Sequence, residues 1–423
     1  MKVIVAHPQQ QHSYRLATAL EKRGELGAYA TTVYMKPRNL TSLVAKALPP
    51  FWKKKATGRH CDELDDSDVI QFNEARGLAV LFCHNVPFAH SRYDLIRRST
   101  EDAFAEKVAE LAAREGADAV IGYDGCSASL FEKVRELSPE TVRIADMSAA
   151  NALYLRTVYE RDEVLKPAFA GSLRGWNRIW DPVDVERTKR ELTAADAFLC
   201  GSEFVVNSLE YSGIDRGFCE ICHYGVDTES FPYRPRTRKA EGDPLTFVYL
   251  GQVSEHKGVA WLFDAFIDIE APRARLLCVG NVNLPDSITS RLPSNIELRG
   301  MVQHDEVSEI LLSADVMLFP SLGDGFSLSI MEGFASGLPV VCTENTGAAD
   351  CVAEGENGFV VPVQDAGALR GRIEWFLSNR EEIPRMAKAA RDSVSAFTWD
   401  AYYENAANAV EKLVGKVRDE RER

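Results

Sequence analysis

The chain has 423 residues, which at roughly 100–200 residues per domain predicts two or three domains. Apolar residues make up 45% and charged residues 26%, a composition that is typical of soluble globular proteins and excludes a disordered or collagen-like chain. Because 63 acidic residues outnumber 49 basic ones, the net charge of −14 excludes a general nucleic-acid binder, which needs a net basic face.

The first half of the chain alternates strand-like and helix-like segments. Apolar patterning predicts strands over residues 2–6, 29–34, 78–83, 117–122, 141–145 and 197–200. Helices are predicted between them, over residues 14–23, 104–115, 128–137 and 183–192. Strands that alternate with helices indicate βαβ units and hence a parallel sheet.

A second alternating series follows residues 234–244, whose prolines, arginines and glycine predict an interdomain linker. Strands are predicted over residues 245–250, 275–279, 295–298, 316–319, 340–343 and 358–361, and helices over 259–266, 305–313, 328–336 and 368–379. The fold class is therefore α/β, with two doubly wound domains that face a cleft. Ligands of such sheets bind at the carboxyl ends of the strands.

The N-terminus and the cysteines indicate a cytoplasmic protein. The first residues become polar too soon for a signal peptide, and no apolar run approaches the ~20 residues that span a bilayer. The nine cysteines are scattered singly, which favours a reducing compartment. Cys219 to His223 matches the C-x-x-C-H pattern of haem attachment, but without an export signal a short strand is the preferred interpretation.

The most informative segment covers residues 319–340, where an apolar strand leads through a glycine-containing loop into a helix. Ser327 opens that helix, and the amides of residues 325–328 form a site for a phosphate. Asp324 precedes the site and Glu332 lies ~8 Å further along the helix axis. A phosphate flanked by two carboxylates that accept from hydroxyl pairs predicts a nucleotide diphosphate. An ordinary capped helix with a surface acidic residue remains the alternative.

This segment resembles the signature of the retaining GT-B-fold glycosyltransferases of family 4 (glycosyl transferases group 1), in which two glutamates lie eight positions apart. Further segments match the family pattern in the expected order, over residues 224–231, 250–258, 279–281, 299–302, 347–350, 357–359 and 398–400. The resemblance covers roughly residues 195–405. It implies an acceptor-side Rossmann-like domain over residues 1–233, the linker 234–244, a donor domain over residues 245–397, and a last helix over about 398–423 that crosses back to the N-terminal domain.

The resemblance implies transfer of a sugar from a nucleotide-diphosphate sugar to a glycan or lipid-linked acceptor, with retention of configuration, in polysaccharide or glycoconjugate biosynthesis. Lys257, Asp324 and Glu332 are the expected catalytic residues, and no cofactor or metal beyond the donor substrate is expected. The expected donor-binding residues are Gly251, Gln252, Lys257, Gly300, Met301, Val302, Asp324, Gly325, Phe326, Ser327, Leu328 and Glu332.

Two departures from the family pattern keep other functions open. Asp324 stands where the family has its first glutamate, and Gln252 stands where it has an arginine, which loses a charge and a bidentate donor. A non-catalytic GT-B accessory subunit that binds glycan or a partner transferase is therefore the alternative. A nucleotide-sugar epimerase is a third hypothesis that fits the pattern less well.

The first half offers candidates for acceptor contacts at strand ends. These are His7, His12, Asp124, Asp146 and Ser148, although a lone histidine is more often structural. A second feature is a stretch without acidic residues between Glu25 and Asp62, which carries seven basic residues. Within it, residues 36–59 mix these charges with large apolar side chains. They predict peripheral association with an anionic inner membrane face, and a solvated loop packed on the domain is the alternative.

Overall fold

The computed structural model describes residues 1–10, 12–175, 177–267, 269–270 and 273–423. The described residues form two sheets, of seven and six strands, in which all paired strands run parallel. The central strands of each sheet are buried on both faces and are nearly continuous apolar runs, whereas the edge strands are partly exposed. Both sheets are doubly wound, as the alternating pattern predicts.

The first sheet has the order β3-β2-β1-β4-β5-β6-β7, so the winding direction reverses between β1 and β4. Its strands are β1 Val3–Ala6, β2 Leu26–Thr31, β3 Val69–Gln71, β4 Ala119–Tyr123, β5 Val142–Met147, β6 Ala197–Cys200 and β7 Cys219–Ile221. The helices of this part are α1 Ser13–Lys22, α2 Leu40–Ala47, α3 Pro50–Thr57, α4 Glu74–Asn85, α5 Tyr93–Glu115, α6 Ala128–Leu137, α7 Ala152–Leu165, α8 Ala170–Arg174, α9 Asn177–Trp180, α10 Pro182–Ala194 and α11 Glu203–Glu210.

The second sheet has the order β10-β9-β8-β11-β12-β13 and reverses between β8 and β11. Its strands are β8 Leu245–Leu250, β9 Ala274–Val279, β10 Ile296–Gly300, β11 Val316–Phe319, β12 Val340–Thr343 and β13 Gly358–Val361. The helices are α12 Val259–Phe266, α13 Asp286–Thr289, α14 His304–Ser313, α15 Leu328–Ala335, α16 Ala366–Ser378, α17 Ile383–Ser393 and α18 Trp399–Glu422. In an open sheet a ligand binds beside such a reversal point.

The segment between the sheets is an extended connection fixed to the second domain. The guanidinium of Arg236 donates to the carbonyl oxygens of Gly337 at 2.8 Å and Leu311 at 3.0 Å. Arg380 donates to the carbonyl oxygens of Ala240 and Asp243 at 2.7 and 2.6 Å. These bonds satisfy carbonyl groups that irregular backbone would otherwise leave unpaired.

The last helix, α18, returns to the first domain and packs against α1. Its polar face is held by ion pairs of Glu411 with Arg23 at 2.6 Å and of Arg421 with Asp196 at 2.9 Å. At its start, Trp399 lies under the guanidinium of Arg15, 4.3 Å from the ring centroid. The return of this helix agrees with the GT-B expectation, whereas the exact domain boundaries given above stay a prediction.

One element prediction is wrong. Residues 78–83 form part of helix α4 rather than a strand, and the third strand of this part of the sheet is β3. A short apolar run cannot be assigned by periodicity alone, because a buried helix segment and a buried strand both produce one. Helix α4 buries Gly77, Val80 and Cys83 and leaves Phe82 exposed, which is a helical rather than an alternating pattern.

Among the described residues, no helix combines the length and the apolar character that crossing a bilayer requires.

Candidate active site

The loop between β11 and α15 forms one wall of the interdomain cleft. The turn after β8 approaches this loop closely at Gly258, because a Cβ at that position would lie 1.8 Å from the carbonyl oxygen of Pro320. Gly258 also has φ = 70°, a conformation that favours glycine. On the other side, the amide of Asp324 donates to the carbonyl oxygen of Asn345 at 2.9 Å. Lys257 and Asp324 are thereby brought to the same point.

Lys257 and Asp324 form an ion pair. The carboxylate of Asp324 also accepts from the amide of Phe326 at 3.3 Å. Burial alone would raise the pKa of Asp324, but the charge of Lys257 and these hydrogen bonds hold that pKa below its ordinary value of 3.8. Asp324 is therefore ionised at neutral pH. Its carboxylate is paired with the ammonium group of Lys257, which is the cation that a phosphate would need.

Helix α15 begins at this loop without a side-chain cap. Its N-cap residue, Ser327, has φ = 65° and makes no capping hydrogen bond, so the first amides of the helix stay available to a ligand. One turn after Leu328 lies Glu332. Within the part of the chain that the structure describes, no hydrogen bond or ion pair involves its carboxylate. Burial raises the pKa of Glu332 to about 7.

Three glycines end neighbouring strands of the second sheet and let their backbones approach closely. A Cβ at Gly280 would lie 1.9 Å from the carbonyl oxygen of Gly251, and the amide of Gly280 donates to the carbonyl oxygen of Gly300 at 2.9 Å. Beyond Gly300, the Met301 side chain is 78% exposed. This edge of the sheet is open, and Met301 offers an apolar surface there.

The opposite wall of the cleft comes from the first sheet. His12 Nε2 lies 3.2 Å from Asp146 Oδ1 and 3.0 Å from the hydroxyl oxygen of Tyr224. The Asp146 side chain is buried, and the His12 ring packs edge-on against the ring of Tyr123. A buried carboxylate thus orients a histidine that faces the cleft, which is an arrangement suited to holding or moving a proton.

Asp124 and Ser148 form a second polar group on this wall. Asp124 Oδ1 accepts from the hydroxyl of Ser148 at 2.7 Å and from its amide at 3.2 Å. The loop that carries Asp124 is fixed by Glu191, which accepts from the amides of Gly125 and Ser127 at 2.8 and 2.6 Å. His7 is buried instead, with its Nδ1 accepting from the amide of Gln9 at 2.9 Å.

The two walls meet closely. A Cβ at Gly325 would lie 2.0 Å from the carbonyl oxygen of Ser148, and the hydroxyl of Ser202 donates to the carbonyl oxygen of Gly325 at 2.7 Å. Between the walls lies a cavity of about 280 Å³. Its lining is formed by His12, Ser148, Tyr224, Gly251, Lys257, Phe319, Asp324, Phe326, Ser327, Leu328, Ser329 and Trp399.

The predicted site residues divide into two groups. Gly251, Lys257, Asp324 and residues 326–328 line this cavity together with His12 and Ser148, and Gly325 forms the contact between the walls. Gln252, Glu332, residues 300–302, Asp124 and Asp146 lie outside the lining, and His7 is buried beneath the cleft. The roles assigned to all of them stay predictions.

Sequence reasoning did not single out Tyr224, Phe319 or Trp399 as site residues, although all three line the cavity. Tyr224 and Trp399 belong to segments that match the family pattern. Their place becomes clear only when Gly225 packs on the start of α18, where a Cβ would lie 2.6 Å from the amide nitrogen of Trp399. The family pattern thus marked these two segments in the sequence, but it did not indicate that Tyr224 and Trp399 line the same cavity.

A buried carboxyl pair also joins the two domains. Asp162 of α7 and Glu255 of the turn after β8 interact electrostatically, and burial raises the pKa of both groups. Among the described residues, Asp162 Oδ2 and Glu255 Oε1 are buried without a hydrogen-bond partner. Asp162 Oδ1 also accepts from Trp261 Nε1 at 2.8 Å and from Gln364 Nε2 at 3.0 Å. Burial and the neighbouring charge of Asp162 both favour the protonated form of Glu255.

Among the described residues, no group of three or more histidine, cysteine, aspartate or glutamate side chains is arranged to hold a metal ion.

Comparison with known proteins finds relatives of the second domain, which carries the cleft wall with Lys257 and Asp324. Residues 244–379 match the model of the family described as glycosyl transferases group 1. The second domain is therefore similar to the glycosyltransferases of this family. The match covers the loop with Asp324 and the turn with Lys257, and it confirms the family resemblance at this level. Assignment to family 4 and to the retaining class stays a prediction.

Relatives match the chain over part of their length. An uncharacterized glycosyltransferase of Methanocaldococcus jannaschii is 25% identical over 227 residues, which are 53% of this chain and 62% of the relative. The amylovoran biosynthesis glycosyltransferase AmsK of Erwinia amylovora is 25% identical over 207 residues, 46% of this chain and 50% of the relative. The chain thus spans between half and two thirds of the length of these relatives.

The whole chain resembles a solved structure. The crystal structure of Anabaena HepE in complex with UDP superposes with a TM-score of 0.60 at 13% identity, over 97% of this chain and 100% of that protein. At this identity the likeness concerns the fold alone. The fold is GT-B, as expected.

Proposed function

We propose that the protein is a retaining glycosyltransferase that moves a sugar from a nucleotide-diphosphate sugar to a glycan or lipid-linked acceptor in polysaccharide or glycoconjugate biosynthesis. The observation that carries this proposal is the convergence of Lys257, Asp324 and the uncapped start of α15 on one cavity in the cleft. Similarity to glycosyltransferases, one of them named for amylovoran biosynthesis, supports it.

The donor diphosphate would take the place that Asp324 occupies at Lys257. A phosphate oxygen can replace the carboxylate at the ammonium group while it accepts from the first amides of α15. The released Asp324 carboxylate can then accept from hydroxyls of the donor sugar. The ion pair thus keeps the empty site electrically balanced and changes partner when the donor binds.

Glu332 would bind the ribose. Its carboxylate is half-buried and has no partner within the described residues, and it lies one turn beyond Leu328 on α15. Such a group is costly unless a ligand supplies hydrogen bonds. The two ribose hydroxyls supply two donors, which is the number that a carboxylate can accept side by side.

In the proposed transfer, the bond between the sugar C1 and the β-phosphate oxygen breaks and a bond between C1 and the acceptor oxygen forms on the same face. The acceptor proton moves to the departing phosphate, so no enzyme nucleophile is required. Lys257 stabilises the charge that develops on that phosphate. His12, held by Asp146, faces the cavity from the acceptor side and would position the acceptor hydroxyl.

Donor binding is tested by isothermal titration of the full chain with UDP-, GDP- and ADP-sugars. We expect one nucleotide class to bind, and Lys257→Met to weaken binding by about tenfold or more, since it removes the cation at the diphosphate. Lys388→Ala is the matched control, because Lys388 is an exposed lysine of α17 paired with Asp392. Absence of binding by every nucleotide would refute the proposal.

The variant Asp324→Asn separates donor binding from transfer. It frees Lys257, so UDP or its counterpart should bind at least as tightly as to the wild type, while turnover of the nucleotide sugar falls because the sugar loses its carboxylate partner. NMR of the product's anomeric proton tests retention. A protein that binds donor but turns none over with any acceptor would favour the accessory-subunit alternative.

Membrane association is part of the proposal. Helix α2 exposes Leu40, Leu43 and Val44 on one face, and nearby Phe82 and Phe88 are 52% and 83% exposed. Such a cluster of large apolar side chains is unusual on a soluble surface and suits a membrane interface. Co-sedimentation should show binding to anionic vesicles that exceeds binding to neutral ones, and equal binding to both would contradict it.

A further inference from the structure

A second cavity lies in the first domain, outside the cleft. It has a volume of about 560 Å³, twice that of the cleft cavity, and lies among α2, α3 and α4. Its walls are apolar and include Val44, Leu48, Trp52, Leu78 and Leu81. A volume of this size falls within the range of sites for small ligands. The proposed transfer reaction uses none of these residues.

The polar groups of this cavity are mostly satisfied within the protein. The hydroxyl of Thr41 donates to Glu74 at 2.6 Å, and the amide of Asn85 donates to the carbonyl oxygen of Leu81 at 2.7 Å. Arg59 differs, because its Nη1 is buried without a hydrogen-bond partner among the described residues. A buried guanidinium nitrogen that lacks an acceptor is costly, and an anion would satisfy it.

Two of the three helices around the cavity carry only basic charges, and the nearby carboxylate of Glu74 at the start of α4 is paired with Thr41. Helices α2 and α3 belong to the stretch between Glu25 and Asp62, which contains no acidic residue. Lys46 and Lys53 of these helices are exposed. Lys36, by contrast, donates to the carbonyl oxygens of Asp66 and Val69 and is used by the fold. The exposed lysines and Arg59 favour an anionic ligand over a cationic one.

We propose that this cavity holds the hydrocarbon chain of an anionic amphiphile, a phosphate or carboxylate with a single acyl or isoprenoid chain, whose anion pairs with Arg59. The apolar walls take the chain and the unpartnered guanidinium nitrogen takes the head group. The loop between β1 and α1 borders both this cavity and the cleft, since Gln10 lines the first and His12 lines the second. Binding requires no nucleotide, so it stands or falls independently of the proposed transfer.

The test is calorimetric titration of the full chain with octyl, decyl and dodecyl phosphate below their micelle-forming concentrations. Each added methylene should tighten binding about fourfold, because each buried CH₂ contributes about 0.8 kcal/mol. Dodecyltrimethylammonium, which has the same chain and the opposite charge, should bind at least about tenfold more weakly. Equal affinity for the two head groups, or no dependence on chain length, would overturn the proposal.

Variants locate the site. Arg59→Gln should weaken the binding of dodecyl phosphate about tenfold or more, and Arg59→Lys should restore part of the affinity. Arg76→Gln, on the exposed side of α4, is the control and should leave the affinity unchanged. Ala45→Phe fills the cavity and should abolish binding, and Leu78→Trp provides a second filling variant should the first fail to fold. Unchanged binding in a folded filling variant would refute the site.

The fluorescence of Trp52 reports directly on ligand in the cavity, because this side chain lines it. A bromododecanoic acid should quench part of the protein's tryptophan emission, and the quenched part should disappear in Trp52→Phe. Vesicles distinguish a free amphiphile from a membrane surface. Loss of soluble-amphiphile binding in Ala45→Phe supports the cavity, whereas binding to anionic vesicles without any binding of the soluble amphiphile would contradict it.

Discussion

Replacing Glu332 with glutamine should stabilise the empty protein and damage donor binding at the same time. The carboxylate is half-buried and has no partner in the described residues, and this burial raises its pKa from 4.5 to about 7. Each pKa unit corresponds to about 1.4 kcal/mol, so ionising this group in the folded state costs about 3 kcal/mol. Glutamine fills the same space without the charge.

The sign follows from proton linkage. Because the folded-state pKa lies above the unfolded one, the folded protein holds the extra proton between pH 4.5 and 7, and stability falls as pH rises through this window. Glu332→Gln should therefore match the wild type below pH 4.5. At pH 8 it should exceed the wild type by about 3 kcal/mol in the free energy of unfolding. Urea unfolding followed at several pH values measures this difference.

Donor binding should show the opposite effect. If the ionised carboxylate accepts the ribose hydroxyls, the affinity of the wild type for a nucleotide sugar should rise about tenfold between pH 6 and pH 8, in proportion to the ionised fraction. Glu332→Gln should lose affinity and this pH dependence. The exposed Glu374 of α16 gives the matched control, Glu374→Gln. A Glu332→Gln variant that is less stable than the wild type at pH 8 would refute the reasoning.

Two further predictions concern the domain contact and the turn beside the site. Glu255→Gln should remove the loss of stability that the wild type shows as pH rises above 4.5, since burial raises the pKa of Glu255. Unchanged pH dependence in urea unfolding would contradict a protonated Glu255. Gly258→Ala should lower the free energy of unfolding by roughly 2–4 kcal/mol, because the new Cβ meets the carbonyl oxygen of Pro320 and φ is positive. Gly371→Ala, in the open middle of α16, should raise it by about 0.5–1 kcal/mol. Thermal unfolding compares the two variants.

The second domain was largely predictable from the sequence. The strands predicted over residues 245–250, 316–319, 340–343 and 358–361 coincide with β8, β11, β12 and β13. These strands are apolar runs bounded by glycine, proline or charged residues, and local patterning is sufficient for such segments. The position of Asp324 and Lys257 at strand ends followed from the same patterning together with the rule for ligands in parallel sheets.

The first domain was less predictable, and the reason is physical. Residues 78–83 form an apolar run that lies in helix α4, where Val80 and Cys83 are buried and Phe82 is exposed. The short helix α2 precedes it and leaves Leu40, Leu43 and Val44 exposed. Their environment is the second cavity, which exists only after three helices assemble. A local pattern contains no information about an unfilled space between elements.

The sequence by itself determined the two doubly wound sheets and the helix start at Ser327, because hydrophobic periodicity, glycine and proline act within a few residues. Only the tertiary structure decided which side chains meet: Lys257 with Asp324, His12 with Asp146 and Tyr224, and Asp162 with Glu255. The partners in these contacts are between 67 and 212 residues apart in the sequence. Such contacts depend on burial and on the approach of two sheets, which are properties of the packed chain and not of any segment.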